Sequence, residues 1–305
     1  MQLLQKLRDS HSLRKVAGEV AELEKQARIF SNSIAEFLAQ VSGKVLVCAY
    51  TGFGSIPASI AYWYTTATGR QNAVLMSLES ATTFVLPYRD DVSVLVFSTG
   101  EYSRLFASLQ AVRVLGVDYR AYAPQPPDER LKLLARHYGV ELVPQSDVYA
   151  SALLLSFASF IALTGLYKDV LQARGKRLLS HSTEGFTAVA ESLVEKYSPL
   201  ISRVAELESP VLTSSELLEP SAQLFALALA EAGLNTTYMP LSLILEKASE
   251  VGKPLVAIYT SAEEASFKEL RSTRKGLLEI VFNTDPLEAG IYLTMISLFI
   301  TRLSN

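Results

Sequence analysis

The sequence predicts an α/β fold in which parallel sheets are covered by helices on both faces, and two observations support this. Short apolar runs rich in β-branched residues alternate with longer segments whose apolar positions have helical spacing. That alternation is typical of a parallel sheet packed between helices. The order found in residues 42–144 then recurs in residues 209–303. We therefore expect two α/β domains, each with a sheet of about five strands.

In the first half, helix-end signals separate the apolar runs. Pro57 stands in the first turn of one predicted helix, and Gly69 and Gly116 follow the last turns of two. The amphipathic spacing of residues 1–41 predicts further helices. The predicted strands are 44–50, 72–78, 92–97, 118–124 and 140–144, and the predicted helices between and after them are 56–69, 101–116, 127–139 and 150–167.

The second half gives a similar series. The predicted strands are 209–215, 235–244, 253–260 and 277–283, and the predicted helices are 184–207, 219–233, 262–276 and 285–303. The runs at 44–49, 92–97 and 254–259 lack the alternation of a half-exposed strand, so we expect them at the centres of their sheets.

Two stretches of similar pattern indicate an internal repeat. "VLVFSTGEYSRL" (94–105) and "VAIYTSAEEASF" (256–267) each have an apolar run, then hydroxyl residues, a small residue and a Glu. Similar landmarks elsewhere recur at nearly the same separation along the chain, which is a mark of a duplicated unit. We expect the N-terminal helices and the first α/β domain in residues 1–175, and the second domain in residues 176–305.

Composition and charge narrow the class of protein. The 305 residues are 49% hydrophobic and 19% charged, which is enough for two proper cores. The net charge is −3, and Lys and Arg are scattered, so we expect no nucleic-acid partner. One cysteine, Cys48, excludes an intramolecular disulfide and fits a reducing compartment.

Membrane insertion and export are not expected either. The longest apolar stretch, residues 150–167, carries four Ser or Thr and is interpreted as a buried helix. The N-terminal stretch is charged and has no apolar core of a signal peptide. We expect a soluble, cytoplasmic protein with no membrane partner.

Two loops after predicted strands have the composition of ligand-binding loops. In a parallel sheet, ligands bind outside the carboxyl ends of the strands, where "TGFGS" (51–55) and "FSTGEYS" (97–103) lie. The second loop combines the hydroxyls of Ser98, Thr99 and Ser103 with Gly100 and the start of a helix, which suits a phosphate. The alternative is that Ser98 or Thr99 simply caps that helix.

Other kinds of site have weak support. "TGFGSIP" places Pro57 where a dinucleotide-binding loop has its third Gly, and no mononucleotide P-loop motif is present. His11, His137 and His181 share no ligand-like spacing, and no nucleophile elbow occurs. We expect neither a metal nor a cofactor.

The motifs, taken in order, resemble the SIS (sugar isomerase) family in its tandem form. That form includes the archaeal phosphoglucose/phosphomannose isomerases and the isomerase half of glucosamine-6-phosphate synthase. "STGEYSRLFASLQAVRVLG" (98–116) resembles the family's S-x-S-G-x-T loop with its following helix, and "TGFGS" resembles the first-strand loop. "LESATTF" (78–84) resembles a strand-end region. The resemblance covers roughly residues 42–305 and implies two flavodoxin-type, three-layer α/β/α domains.

The resemblance also implies site residues. Gly54, Ser55, Ser98, Thr99 and Gly100 would hold the phosphate of a sugar phosphate, with Ser103 as a substitute for the loop's final Thr. The loop departs from the family pattern, since it has Phe in place of its first Ser and Tyr in place of its Thr.

The catalytic positions depart further. Glu231 falls where the tandem enzymes have the Glu that moves a proton, and Lys247 falls where they have a ring-opening His. The enzymes' C-terminal extension with its catalytic Lys is not found after "ISLFITRLSN". A carboxylate base needs burial to raise its pKa toward neutrality, and a Lys is a poor ring-opening acid–base group.

These departures leave three functional hypotheses. The favoured one is a phosphosugar-binding protein with degenerate catalytic positions. The second is an aldose–ketose isomerase using Glu231 as base, and the third is an interaction scaffold without a ligand. We also expect a homodimer, because the N-terminal helices and the helix at 150–167 have more apolar surface than small sheets cover.

Overall fold

The computed structural model describes residues 6–304 except for residues 8, 171 and 248–251. The chain divides into two compact units. One comprises residues 23–185 and is called here the five-stranded unit; the other comprises residues 1–22 and 186–305 and is called the four-stranded unit. A helix, α1 (Ser10–Gln40), contributes residues to both. The domain boundary that the sequence predicts after residue 175 remains a prediction.

The five-stranded unit contains one parallel sheet with the strand order β2-β1-β3-β4-β5. Neighbouring strands pair in parallel throughout. Its strands are β1 (Val45–Thr51), β2 (Ala73–Ser77), β3 (Val92–Ser98), β4 (Asp118–Pro124) and β5 (Val140–Val143). Its further helices are α2 (Ser55–Thr68), α3 (Leu78–Phe84), α4 (Tyr102–Val114), α5 (Glu129–His137), α6 (Val148–Leu166) and α7 (Ala173–Glu184).

The helices of this unit form two layers around the sheet. Helices α2 and α6 pack against each other. Helices α3, α4 and α5 supply side chains to a core shared with β1, β3 and β4. All seven residues of β3 are buried, which explains why its sequence shows no alternation of apolar and polar residues.

The four-stranded unit repeats this arrangement with one strand fewer. Its sheet has the order β7-β6-β8-β9, and all its pairs are parallel. Its strands are β6 (Val211–Ser214), β7 (Thr237–Tyr238), β8 (Leu255–Thr260) and β9 (Leu278–Phe282). Its further helices are α8 (Thr187–Glu206), α9 (Glu219–Glu231), α10 (Leu241–Glu246), α11 (Lys268–Thr273) and α12 (Pro286–Ser304).

The two sheets confirm the predicted fold class and the parallel order. In each sheet the first strand lies between the second and the third, and α9 packs on α12 as α2 packs on α6. The central positions predicted for β1, β3 and β8 are also correct. The second sheet has four strands rather than about five, because the chain passes from β9 directly into α12.

Three local predictions need correction. Residues 235–244 form a strand of two residues and then the start of α10, rather than one strand region. The helix predicted over 262–276 is a 3-10 segment, Ser261–Phe267, followed by the short α11. Residues 78–84 resemble a strand-end region in sequence but form helix α3, which Ser77 caps by accepting a hydrogen bond from the Ser80 amide at 3.1 Å.

In the part of the chain that the structure describes, two helices, α6 and α12, are long and apolar enough to cross a membrane by length and composition. Within them, 83% and 78% of the most apolar window is buried inside the protein. They are therefore the core helices of their units, as the sequence predicted for residues 150–167.

The burial of α6 changes the argument for a homodimer. The sequence predicts surplus apolar surface on α1 and α6. Apolar residues of both helices, such as Leu38 and Phe157, are covered within the chain, whereas Ile29 of α1 is 69% exposed. The large apolar side chains that do face solvent include Phe84, Val114 and Leu133, on helices α3, α4 and α5. The surplus apolar surface expected on the helix at 150–167 is therefore absent, and the homodimer itself stays a prediction.

Candidate functional site

The strand order places a crevice at the carboxyl end of the five-stranded sheet. The chain leaves β1 toward one side and β3 toward the other, and ligands of open α/β sheets bind at such a switch point. A cavity of about 480 Å³ lies there, formed by the loops after β1, β3, β4 and β5. Its lining residues are Gly52, Phe53, Thr99, Gly100, Glu101, Tyr102, Gln125, Pro127, Ser146 and Val148.

The loop after β1 is held close to the backbone of β3. Gly52–Gly54 form a 3-10 turn, and α2 begins at the half-buried Ser55. A Cβ on Gly54 would lie 2.1 Å from the carbonyl oxygen of Phe97, far inside any allowed contact. Gly54 is therefore required by the approach of two backbone segments, and it does not line the cavity, although Gly52 and Phe53 beside it do.

Ser98 is fully buried at the end of β3 and has a structural position. Its hydroxyl oxygen accepts hydrogen bonds from the Thr51 hydroxyl at 2.8 Å and from the Gly100 amide at 3.3 Å. These contacts tie the end of β1 to the end of β3. Ser98 holds the loop in place through these hydrogen bonds and does not line the cavity.

Thr99 and Gly100 are the two predicted residues that line the cavity. Gly100 has a φ of +123°, a conformation that residues with a side chain rarely adopt. Thr99 faces the loop after β1, because a Cβ on Gly52 would lie 3.1 Å from its Oγ1. The structure thus brings Thr99, Gly100 and Gly52 together at the start of α4.

Ser103 lies outside this cavity. It is exposed in the first turn of α4 and borders two shallower depressions along the helix, together with Arg104. Ser103 is therefore close in sequence to Thr99 and Gly100, but it borders a different part of the surface. Among the residues predicted to bind phosphate, Thr99 and Gly100 keep the strongest geometric support.

The cavity also has a wall that the sequence did not indicate. Gln125 follows β4 and Ser146 follows β5. The backbone N–H of Gln125 donates to the carbonyls of Val143 and Gln145, both at 3.0 Å. The Tyr102 hydroxyl donates to the Pro124 carbonyl at 3.0 Å, and burial raises its pKa to about 12. Gln125 and Ser146 come to this wall through the order of the strands.

Glu101 contributes a charged side chain to the cavity lining. A Cβ on Gly52 would lie 3.5 Å from its carboxyl carbon, so the carboxyl group lies against the loop after β1. Arg104 lies 3.4 Å from Glu101 and 3.5 Å from Glu79, and its side chain is 61% exposed. Ion pairs this long and exposed contribute about 0–1 kcal/mol.

In the four-stranded unit, the equivalent loop, which follows β8, is held by its own hydrogen bonds. Thr260 ends β8, and its amide and hydroxyl both donate to the Glu263 carboxylate, at 3.0 Å and 2.7 Å. The Thr260 hydroxyl also caps the following turn, which completes a capping box. The donors that an anion would need at this corner are therefore occupied by the chain's own carboxylate.

The two predicted catalytic residues, Glu231 and Lys247, do not line the candidate cavity. Glu231 is the last residue of α9, on the side of its sheet where strands begin, and Lys247 directly follows α10. Both residues are exposed. The isomerase hypothesis requires a buried Glu231, and the structure places this residue at an exposed helix end.

Among the described residues, no group of three or more His, Cys, Asp or Glu side chains is placed to hold a metal ion. Cys48 is buried, and its burial raises the pKa of the thiol.

Comparisons with known proteins find similarity in structure alone. No protein-family model and no curated protein matches the chain. A proposed phosphosugar isomerase from Clostridium difficile 630 is similar with a TM-score of 0.68 and 11% identity, over 96% of this chain and 91% of that one. A proposed sugar-binding protein from Salmonella typhimurium LT2 has a TM-score of 0.62 and 12% identity, over 96% of this chain and 99% of that one.

A third similar structure is tagatose-6-phosphate ketose/aldose isomerase from Escherichia coli, with a TM-score of 0.58 and 11% identity, over 100% of this chain and 93% of that one. The fold of this chain is therefore one that phosphosugar isomerases and sugar-binding proteins also have, and the similarity covers both units. At these identities the similarity establishes the fold.

The close approach at Gly54 gives a testable prediction. We expect Gly54→Ala to lower the free energy of unfolding by about 1–3 kcal/mol or more, because the added methyl forces β3 and the loop apart. Gly165→Ala is the matched control, since a Cβ there meets nothing within 4 Å and Ala favours the helix. Urea denaturation of the two variants measures both effects. Equal stability of the two variants would contradict the close approach of Gly54 to the backbone of β3.

Proposed function

We propose that this protein binds a sugar phosphate at the carboxyl end of the five-stranded sheet, and that it is a member of the SIS family. The observation that carries the proposal is the cavity where the loops after β1 and β3 meet the start of α4. The similar structures named above are described as phosphosugar isomerases and a sugar-binding protein, which supports the same class of ligand.

The phosphate would lie against the Thr99 hydroxyl and the amides that begin α4. The first amides of a helix have no intrahelical partner, and the helix dipole favours an anion there. Gly100 allows the ligand to approach the backbone closely because it has no side chain. The sugar would extend toward Gln125 and Ser146, whose polar side chains are suited to hydroxyl groups.

Binding without efficient catalysis is the second part of the proposal. Isomerisation needs a group that opens the ring and a base that moves a proton between neighbouring carbons. Glu231 and Lys247 are exposed, and neither borders the cavity. An isomerase that uses these two residues is therefore the less favoured hypothesis.

Replacement of Thr99 tests the binding site. We expect glucose 6-phosphate or glucosamine 6-phosphate to raise the melting temperature of the wild-type protein by several degrees. Thr99→Leu should weaken binding by about tenfold or more, because a charge-assisted hydrogen bond contributes about 1.5–3 kcal/mol and the larger side chain faces Gly52.

Thr83→Leu is the control for that experiment, because Thr83 is exposed on α3 outside the cavity. Binding that survives in Thr99→Leu would place the site elsewhere. The absence of any shift with hexose and hexosamine phosphates would overturn the proposed function.

Coupled enzyme assays test the catalytic part. We expect no turnover above background with glucose 6-phosphate, mannose 6-phosphate or fructose 6-phosphate, because Glu231 and Lys247, which the family resemblance assigns to catalysis, do not line the cavity. A turnover above about 1 s⁻¹ that is lost in Glu231→Gln would instead establish an isomerase.

The homodimer and the cytoplasmic location are also proposals. The exposed apolar side chains on α3, α4 and α5 are the surface that supports self-association. We expect light scattering at micromolar concentration to give twice the chain mass of 33.4 kDa. A monomer over that range would exclude the homodimer.

A further inference from the structure

One wall of the candidate cavity is formed by the short connection between β5 and α6. Ser146 of this connection and Val148, which begins α6, both line the cavity. The connection consists of Pro144, Gln145, Ser146 and Asp147, and none of these residues is buried. Apolar packing therefore contributes little to the position of Ser146, so the connection depends on its hydrogen bonds.

Gln145 is the residue through which the connection is attached to two other elements. Its backbone carbonyl accepts a hydrogen bond from the backbone N–H of Gln125, after β4, at 3.0 Å. Its side-chain Nε2 donates to Oε1 of Gln26 at 3.0 Å. Gln26 belongs to α1, a helix from which no residue lines the cavity. The wall that carries Ser146 is thus attached to a helix outside the site.

Helix α1 is also bonded to the sheet next to this wall. Ser33 lies two turns beyond Gln26 on the same face of the helix. Its hydroxyl donates to the Glu141 carboxylate at 2.5 Å and lies 2.9 Å from the Tyr122 hydroxyl. Glu141 belongs to β5, whereas Gln145 follows the end of that strand. Helix α1 therefore runs antiparallel to β5 and is bonded both to the strand and to the connection after it.

We propose that Gln26 is a positioning residue of the binding site, which holds the connection after β5 where Ser146 meets the ligand. The inference rests on the proposed sugar phosphate site. Without the hydrogen bond from Gln145, the connection gains conformations in which Ser146 lies away from the sugar, and ligand binding has to restore the ordered one. The loss of one neutral hydrogen bond should weaken binding about threefold to tenfold.

Calorimetric titrations of the wild-type protein, Gln26→Met and Ser33→Ala test the proposal. The ligand is glucose 6-phosphate or glucosamine 6-phosphate, whichever raises the melting temperature of the wild type more. Gln26→Met keeps a side chain of similar length but removes the oxygen that accepts from Gln145. We expect this variant to bind the ligand about threefold to tenfold more weakly than the wild type.

Ser33→Ala is the matched control, because it removes a bond of α1 to the sheet and keeps the bond to the cavity wall. It should lower the free energy of unfolding at least as much as Gln26→Met does and leave the affinity for the ligand unchanged. Gln26→Glu keeps an accepting oxygen, so it should restore the affinity to within about twofold of the wild type. A purely structural role of Gln26 would not separate affinity from stability in this way.

Gln145→Met removes the donor instead of the acceptor, and it should weaken binding as Gln26→Met does. This variant decides the outcome if Gln26→Met does not fold. Unchanged affinity in the Met variants, an equal loss in Ser33→Ala or no recovery in Gln26→Glu would overturn the role of Gln26 and leave the binding function intact. If neither ligand binds the wild type, the proposed function and this inference both fall.

Discussion

The close approach of the Gly54 turn to the carbonyl of Phe97 is the constraint on which the candidate site depends. It allows the loop after β1 to lie over the end of β3, where the Thr51 and Ser98 hydroxyls join the two strand ends. Only then does Gly52 reach Thr99 and Glu101. Any side chain at position 54 would push the loop outward and widen the crevice that the strand order creates.

Much of the fold could be predicted from the sequence because its signals are local. Fully buried strands such as β3 and β8 are uninterrupted apolar runs, and the intervening helices end at glycines such as Gly69 and Gly116. The exceptions are short elements. Helix α3 and strand β7 are seven and two residues long, and at that length tertiary contacts decide the conformation rather than the intrinsic preference of the segment.

The candidate site was predictable only in part, because a loop's sequence does not tell which of its residues face inward. Ser98 and Thr99 are adjacent and similar in chemistry, yet Ser98 is buried in the strand end and Thr99 lines the cavity. Gln125 and Ser146 join them through the order of the strands, which brings the ends of β4 and β5 to the same edge. Nothing in their immediate sequence marks them.

The two apolar helices at the centres of the units also govern how the chain reaches its folded state. Helices α6 and α12 each present 19 mostly apolar residues, and these become covered only when the rest of the unit has formed around them. Until then they are exposed to other chains, and association between incompletely folded molecules competes with folding. The yield of folded protein should therefore fall as the concentration of refolding chains rises.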